Sequence, residues 1–424
     1  MTPLLRIAAA SAWNRRLTLA LVGGSIALAA FLLLSLERLR TDLRESFSQS
    51  VSGTDLVVGP RTGAVQLMLY AVFRVGGATN NISMAGVQAV AAHRAVSWVV
   101  PISLGDSHRG RPVMGTTTDY FTRFLYGDRQ PLVLAEGRAF AGTLDGLYEA
   151  VVGAEVARAL GYRLGQRITL SHGAGGQLAS EHADKPFAVV GILAPTGTPV
   201  DRTVHISLQA LEAIHLDFAG GAPLPGLRIA PEQARKFDLE PKQVTAALVG
   251  LKSRAAVFAV QRWVAQYTDE PLLAVLPGVA LDELWEAVGL GERALMAMSA
   301  LVAVVSLLSL VAVVLAGLNE RRRELAVLRA VGAGPRHLLA LLALEGGLVT
   351  GLGALAGALA SIGAVALAGP WVQQQVGITL QPAAPTGAMW ALFGAIVAAG
   401  MLASLVPGVR AYRLSLADGL SPRS

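Results

Sequence analysis

Six histidines, at positions 93, 108, 172, 182, 205 and 215, are the side chains in the middle of this chain best suited to chemistry. His172 and His182 stand close together, with Glu181 and Asp184 beside the second. Imidazole and carboxylate together suit zinc or another divalent ion. The same four residues also describe a polar, solvated loop, and both readings stay open. The scattered histidines read as structural or solvated. Cysteine is absent, which removes disulfides, a thiolate nucleophile and cysteine zinc sites. No His-Glu-x-x-His, Gly-x-Ser-x-Gly or Gly-x-x-x-x-Gly-Lys-Ser/Thr run occurs, so metalloprotease, esterase and P-loop chemistry have no local signature. None of the lysines (185, 236, 242 and 252) follows a glycine. The chain is therefore expected to be no enzyme, and any ATP hydrolysis to come from another polypeptide.

The elements that must position these residues are set by hydrophobicity. Of 424 residues, 53% are hydrophobic and 15% charged, against about a quarter charged in soluble domains, and the mean hydropathy is +0.52. This excludes a disordered chain and argues against an ordinary soluble enzyme. A bilayer needs about 20 helical residues, and four stretches supply them: 17–36, 294–318, 338–369 and 388–409. The third carries one charge, Glu345, and the others none. The expected fold class is thus an α-helical membrane protein with four transmembrane helices and a mixed α+β extracytoplasmic domain, residues 37–293, inserted between helices 1 and 2.

Charge counting orients the spans, because cytoplasmic segments carry the excess of Lys and Arg. Residues 1–16 hold Arg6, Arg15 and Arg16; the 319–337 link holds five arginines against two glutamates; the 410–424 tail holds three arginines against one aspartate; and the 370–387 link is uncharged. Both termini and the 319–337 loop are therefore expected in the cytoplasm of a bacterial inner membrane. Residues 1–16 are expected to form an interfacial helix ahead of an uncleaved anchor, since Glu37, Arg38 and Arg40 follow the first apolar run where a cleavage site would need small residues. The inserted segment has 24 basic and 25 acidic residues. The pI of 9.9 is thus a topology signal, and no basic patch remains for nucleic acid.

Leu36, Leu39, Leu43 and Phe47 after the first span, and Leu281, Leu284 and Val288 before the second, recur at helical spacing and predict stalks. Between them, strands are expected at 54–58, 96–104, 111–117, 166–170, 187–193, 204–207 and 272–275. Helices are expected at 85–93, 154–160, 208–215 and 256–267. Clusters such as Gly105-Asp-Ser-His108 read as loop punctuation, as do 171–186 and 219–231.

The 319–337 loop has its own pattern. Asn319 and Glu320 suit a helix start. Leu325 and Leu328 share one face inside a collar of Arg321, Arg322, Arg323, Glu324 and Arg329. Gly332 suits a C-cap, and Pro335 suits the first turn of the next span. Such a capped helix reads as a docking element. In the third span, Gly347, Gly351, Gly353 and Gly357 form two overlapping small-xxx-small steps, suited to packing within one chain or to a seam between two.

The run Asn319–Glu345, NERRRELAVLRAVGAGPRHLLALLALE, resembles the cytoplasmic loop and third-span start of FtsX-like permeases, the membrane subunits of ABC transporters of the macrolide-exporter and lipoprotein-release type. The element order and the ending Arg410-Ala-Tyr-Arg-Leu-Ser-Leu-Ala-Asp-Gly-Leu420 resemble that family too. So do Asp55-Leu-Val-Val-Gly-Pro60, Pro195-Thr-Gly-Thr-Pro-Val-Asp-Arg-Thr-Val-His205 and Val249-Gly-Leu-Lys-Ser-Arg254 of the inserted domain. The resemblance implies that residues Glu320 to Gly332 are a coupling helix seated on a separate cytoplasmic ABC ATPase, with Glu345 anchoring that corner. ATP and Mg would be held by that partner and no cofactor by this chain. It further implies a second permease copy, identical or not, and leaves open whether a periplasmic adaptor or substrate protein is a further partner.

Three readings follow. The complex extrudes a lipoprotein, lipid, peptide or small amphiphile. Alternatively it transports nothing and acts by mechanotransmission on an extracytoplasmic partner such as a cell-wall hydrolase. In the third, it is accessory to zinc uptake through the His172/His182 loop.

Overall fold

The computed structural model describes residues 16–77, 80–173, 182–219, 222–224, 226–320, 332, 334–376 and 384–413. They fall into two compact units. One comprises the helical segments up to Asp42, from Gly289 to Pro370 and beyond Leu380; the other is chiefly Leu43–Val288.

The inserted unit is built on an eleven-stranded sheet. Its strands are β1 (Leu56–Pro60), β2 (Val96–His108), β3 (Arg111–Thr116), β4 (Leu134–Gly137), β5 (Glu149–Val152), β6 (Arg167–Ile168), β7 (Ser171–His172), β8 (Phe187–Leu193), β9 (Val204–Ser207), β10 (Ala246–Leu251) and β11 (Leu272–Val275). The order is β11-β1-β10-β2-β3-β9-β5-β8-β4, with β7 added on β2 and β6 on β8. Pairing is parallel at β3–β9 and β5–β8 and otherwise antiparallel. β8 shows the reason for such a strand: Phe187, Val189, Gly191 and Leu193 are buried while the intervening residues are not, the period-2 pattern of a half-covered sheet. Helices α2 (Ala64–Ala71), α3 (Met84–Ala92), α4 (Asp119–Arg123), α5 (Ala154–Leu160), α6 (Leu208–His215) and α7 (Val257–Ala265) cover the faces.

Four strands of this sheet, β4, β5, β7 and β10, and helices α2 and α4 are not expected from periodicity; β7 falls at the start of the stretch 171–186 expected as loop. β10 begins Ala246-Ala247 and is buried on both faces, so it lacks alternation, and alanine disfavours strands. The expected break at Gly105-Asp-Ser-His108 is corrected: β2 runs through it to His108. Gly105 adopts φ +154 at a register shift between Leu104 and Asp106. A bulge thus absorbs the glycine and the strand continues. The chain reverses instead at Arg109 (φ +48) and Gly110 (φ +74), the left-handed pair that a two-residue hairpin requires.

The three family-like runs of the inserted domain have structural explanations. The Asp55 and Val249 stretches are neighbours through the β1–β10 ladder, and Asp55 Oδ2 accepts from the Leu251 amide at 2.8 Å. In the Pro195 stretch, the Asp201 carboxylate accepts from the amides of Thr196 and Gly197 and from the Thr196 hydroxyl, each at 2.8 Å. The turn so formed passes close to Gly153, where a Cβ would sit 2.3 Å from the Val200 carbonyl oxygen.

The other unit contains the long apolar helices α1 (Arg16–Gln49), α8 (Pro277–Glu320), α9 (Pro335–Val376) and α10 (Gly387–Arg413). Each contains a stretch long and apolar enough to cross a membrane. Val22 and Ile26 of α1 meet Leu310 and Val314 of α8 and Leu342 of α9 in a small buried core. The Ser306 hydroxyl donates to the Ser25 carbonyl at 3.1 Å, and Ser35 and Ser361 bond at 2.9 Å. Gly353 and Gly357 lie against α1: a Cβ would be 2.8 Å from the Gly23 carbonyl oxygen at the first and 2.3 Å from that of Ala27 at the second. Gly347 faces Met401 of α10, and Gly351 faces open space. At the far end of α1, Arg40 pairs with Glu292 of α8 at 2.8 Å.

Candidate functional site

Four ligand-type side chains from four places in the sequence converge at one edge of the inserted sheet. Among the described residues, Asp106, His172, His182 and His215 form the one group whose candidate ligand atoms, one from each residue, lie within 4.8 Å of one another. Asp106 follows the Gly105 bulge, which re-aims the strand. β7 pairs with β2 so that His172 stands opposite Asp106. His215 ends α6, whose start is set by Ser207 accepting from the Ala210 amide at 3.0 Å. His182 is returned to the sheet by its own amide, which donates to the Leu170 carbonyl at 2.8 Å. Lys185 then pins this segment: it is fully buried and donates to Asp217 Oδ1 at 2.6 Å.

The distances within the cluster are short. His172 Nδ1 lies 3.1 Å from Asp106 Oδ1 and 3.0 Å from His215 Nε2, and His215 Nε2 lies 3.4 Å from Asp106 Oδ1. The His215 Nδ1–H donates to the Leu211 carbonyl at 2.9 Å, leaving Nε2 as the atom that faces the cluster. His182 is only 1% exposed, and neither of its ring nitrogens has a hydrogen-bond partner. Asp106 Oδ2 is likewise buried and unpartnered. Phe218 walls the site, its ring 4.6 Å from that of His182.

Burial pushes His182 down to about 4, outweighing the attraction of Asp106. At His215 burial also works against the proton, but the hydrogen bond and charge of Asp106 and the Leu211 carbonyl hold its pKa above the ordinary value. Burial opposes the Asp217 carboxylate too, yet the Lys185 hydrogen bond and charge keep its pKa below the ordinary one.

The structure thus brings His172 and His182 together, but with Asp106 and His215 rather than with their sequence neighbours. Asp184 is exposed and turned toward Lys185 at 3.8 Å, and Glu181 lies outside the described residues. The bulge-forming glycine before Asp106 and the capped helix ending at His215 are the local signals for the two residues that proximity in sequence misses. His108 is engaged elsewhere, between the Thr169 carbonyl and the Tyr162 hydroxyl, and His93 packs 5.0 Å from the Trp263 ring.

His205 lies fully buried against Tyr120 and Phe121, with its Nδ1–H toward the Val151 carbonyl at 3.3 Å. Burial, helped by the charge of Arg74, pushes its pKa down to about 3 from 6.5. The unfolded chain therefore takes up a proton in that window that the folded chain refuses. The stabilisation is complete above pH 6.5 and is lost as pH falls, by about 1.4 kcal/mol per pH unit. His205→Leu is expected to shrink the drop in melting temperature between pH 7 and pH 4.5; an unchanged drop would remove His205 from the acid response.

Of the residues expected at the coupling corner, Arg321, Arg322, Arg323, Glu324, Leu325, Leu328 and Arg329 lie outside the described residues. Glu320 ends α8, and Gly332 holds φ +100 with open space around it. Glu345 lines an apolar groove of about 660 Å³ between α1 and α9, together with Leu19, Gly23, Leu348 and Leu352.

Two family descriptions match the chain. A MacB-like periplasmic core domain matches residues 17–267, more than half of it. An FtsX-like permease C-terminal domain matches residues 296–416. The chain therefore belongs to the MacB/FtsX-like ABC transporter permease family. Among solved structures, the periplasmic region of MacB from Actinobacillus actinomycetemcomitans is similar at 11% identity and a TM-score of 0.35, over 56% of this chain and 95% of that one. The extracellular domain of the noncanonic ABC-type transporter YknZ from Gram-positive bacteria is similar at 11% identity and a TM-score of 0.30, over 52% of this chain and 99% of that one. Among curated proteins, none matches the chain.

Proposed function

We infer that the chain is the membrane subunit of an ABC transporter whose ATP is hydrolysed, with Mg, by a separate cytoplasmic ATPase. One observation carries this reading: a MacB-like core domain and an FtsX-like C-terminal domain follow one another in one chain, with an arginine-rich loop between the second and third apolar helices. The arginine excess in that loop and at both ends supports their cytoplasmic placement and an extracytoplasmic inserted domain. On this reading the permease works as a pair. ATP-driven closure moves the inserted domain and delivers work to a lipoprotein, lipid, peptide or amphiphile on the outer side.

The long helices support mechanical delivery. α1 has 34 residues and α8 has 44, about 51 and 66 Å at 1.5 Å per residue. Each is much longer than the roughly 20 residues a bilayer needs. The same feature favours, as the second reading, a complex that moves no cargo and acts on an extracytoplasmic partner.

Purification of the native protein in mild detergent tests the inference. A stoichiometric ATP-binding subunit with ATPase activity is expected; its absence at the level of the permease overturns the reading.

A further inference from the structure

We propose that Asp106, His172, His182 and His215 form a binding site for a divalent first-row transition ion, with zinc as the best fit. This goes beyond the ATPase reading and stands on the inserted domain alone. In a tetrahedral zinc site, metal–ligand distances of about 2.0–2.1 Å place ligand atoms about 3.3 Å apart. The three separations among Asp106 Oδ1, His172 Nδ1 and His215 Nε2 are 3.0, 3.1 and 3.4 Å. They describe one face of such a tetrahedron, and His182 stands within 4.8 Å to supply the fourth corner.

Hydrogen bonding alone accounts for three of the four residues but not for His182. Its ring is buried with both nitrogens unpartnered, a placement that costs desolvation and returns nothing. A metal bond repays it. His215 carries the further mark of a ligand: its distal nitrogen is held by the Leu211 carbonyl, the outer contact that fixes the tautomer and points the other nitrogen at a metal. Three imidazoles with one carboxylate suit zinc, whereas calcium and magnesium prefer all-oxygen sets. Bound there, the ion ties the end of α6 to β2, β7 and the segment held by Lys185, closing this edge of the sheet.

The test uses the full-length protein in detergent, purified through a tag without histidine and stripped with a chelator. Zinc titration against a chromophoric competitor is expected to give one ion per chain. Zinc is also expected to raise the melting temperature. His182→Ala and His215→Ala should each weaken zinc binding by at least about a hundredfold, the upper end of what outer-contact variants lose. His93→Ala should leave it unchanged. Zinc binding that survives both variants, or less than a fifth of an ion per wild-type chain, overturns the proposal. Should a variant fail to fold, cobalt in the wild-type protein decides. The intense visible bands of a tetrahedral ion support the site, and the weak bands of an octahedral one overturn it.

Discussion

Lys185→Met is expected to cost the protein about 3–5 kcal/mol, the penalty for removing one member of a buried ion pair. Lys185 is fully buried, and its ammonium lies 2.6 Å from Asp217 Oδ1, whose side chain is 7% exposed. Without the lysine, Asp217 keeps a long contact from the Ile229 amide at 3.5 Å and one from its own amide, in a place that penalises its charge. At about 2–4 °C per kcal/mol for a domain of this size, the melting temperature should fall by roughly 6–20 °C. The double variant Lys185→Met, Asp217→Leu should recover most of the loss, since apolar pairs replace buried ion pairs at little cost. A single variant that melts within 2 °C of the wild type would show that the pair contributes nothing. His182 stands three residues before Lys185 in the segment that the Lys185–Asp217 pair anchors, so the single variant should blunt zinc stabilisation as well.

The second large effect concerns the 319–337 loop, proposed to seat on the ATPase. Leu325→Asp with Leu328→Asp is expected to abolish co-purification of the ATPase subunit while leaving membrane insertion intact. Burying each leucine contributes about 1.5–3 kcal/mol, and a carboxylate in an apolar groove adds a desolvation cost. The combined loss exceeds about 3 kcal/mol, more than a hundredfold in affinity. Insertion should persist because the five arginines that set the orientation are untouched. Unchanged co-purification would remove the coupling assignment.

The apolar spans and the strands at 187–193, 204–207 and 272–275 are legible because each rests on local composition or period. The observed helices α8 and α9 extend well past the apolar runs, since a stalk of amphipathic turns continues the same backbone hydrogen bonding. Phe47 and Trp285, both in stalk stretches, stack edge-on at 5.5 Å, a pairing that neither stripe predicts by itself. β5 and β10 escape notice for the opposite reason: short, alanine-containing and buried on both faces, they have no period to read. In the glycine-rich third span, spacing leaves open a packing face within the chain or a seam between two chains. Gly353 and Gly357 approach the α1 backbone and Gly347 approaches Met401, whereas Gly351 faces open space, so the packing reading holds for part of that face and the seam reading stays open for the rest.

The sequence by itself determined the apolar spans and the family, because hydrophobic length and a contiguous loop motif are properties of neighbouring residues. It also carried half of the metal cluster, His172 and His182, which lie on one short stretch. Asp106 and His215 stand 66 and 43 residues from His172, and only the tertiary structure decided that they join it. A ligand set is a matter of convergence in space. Here that convergence depends on the register of β7 against β2, on a bulge at Gly105 and on where α6 ends.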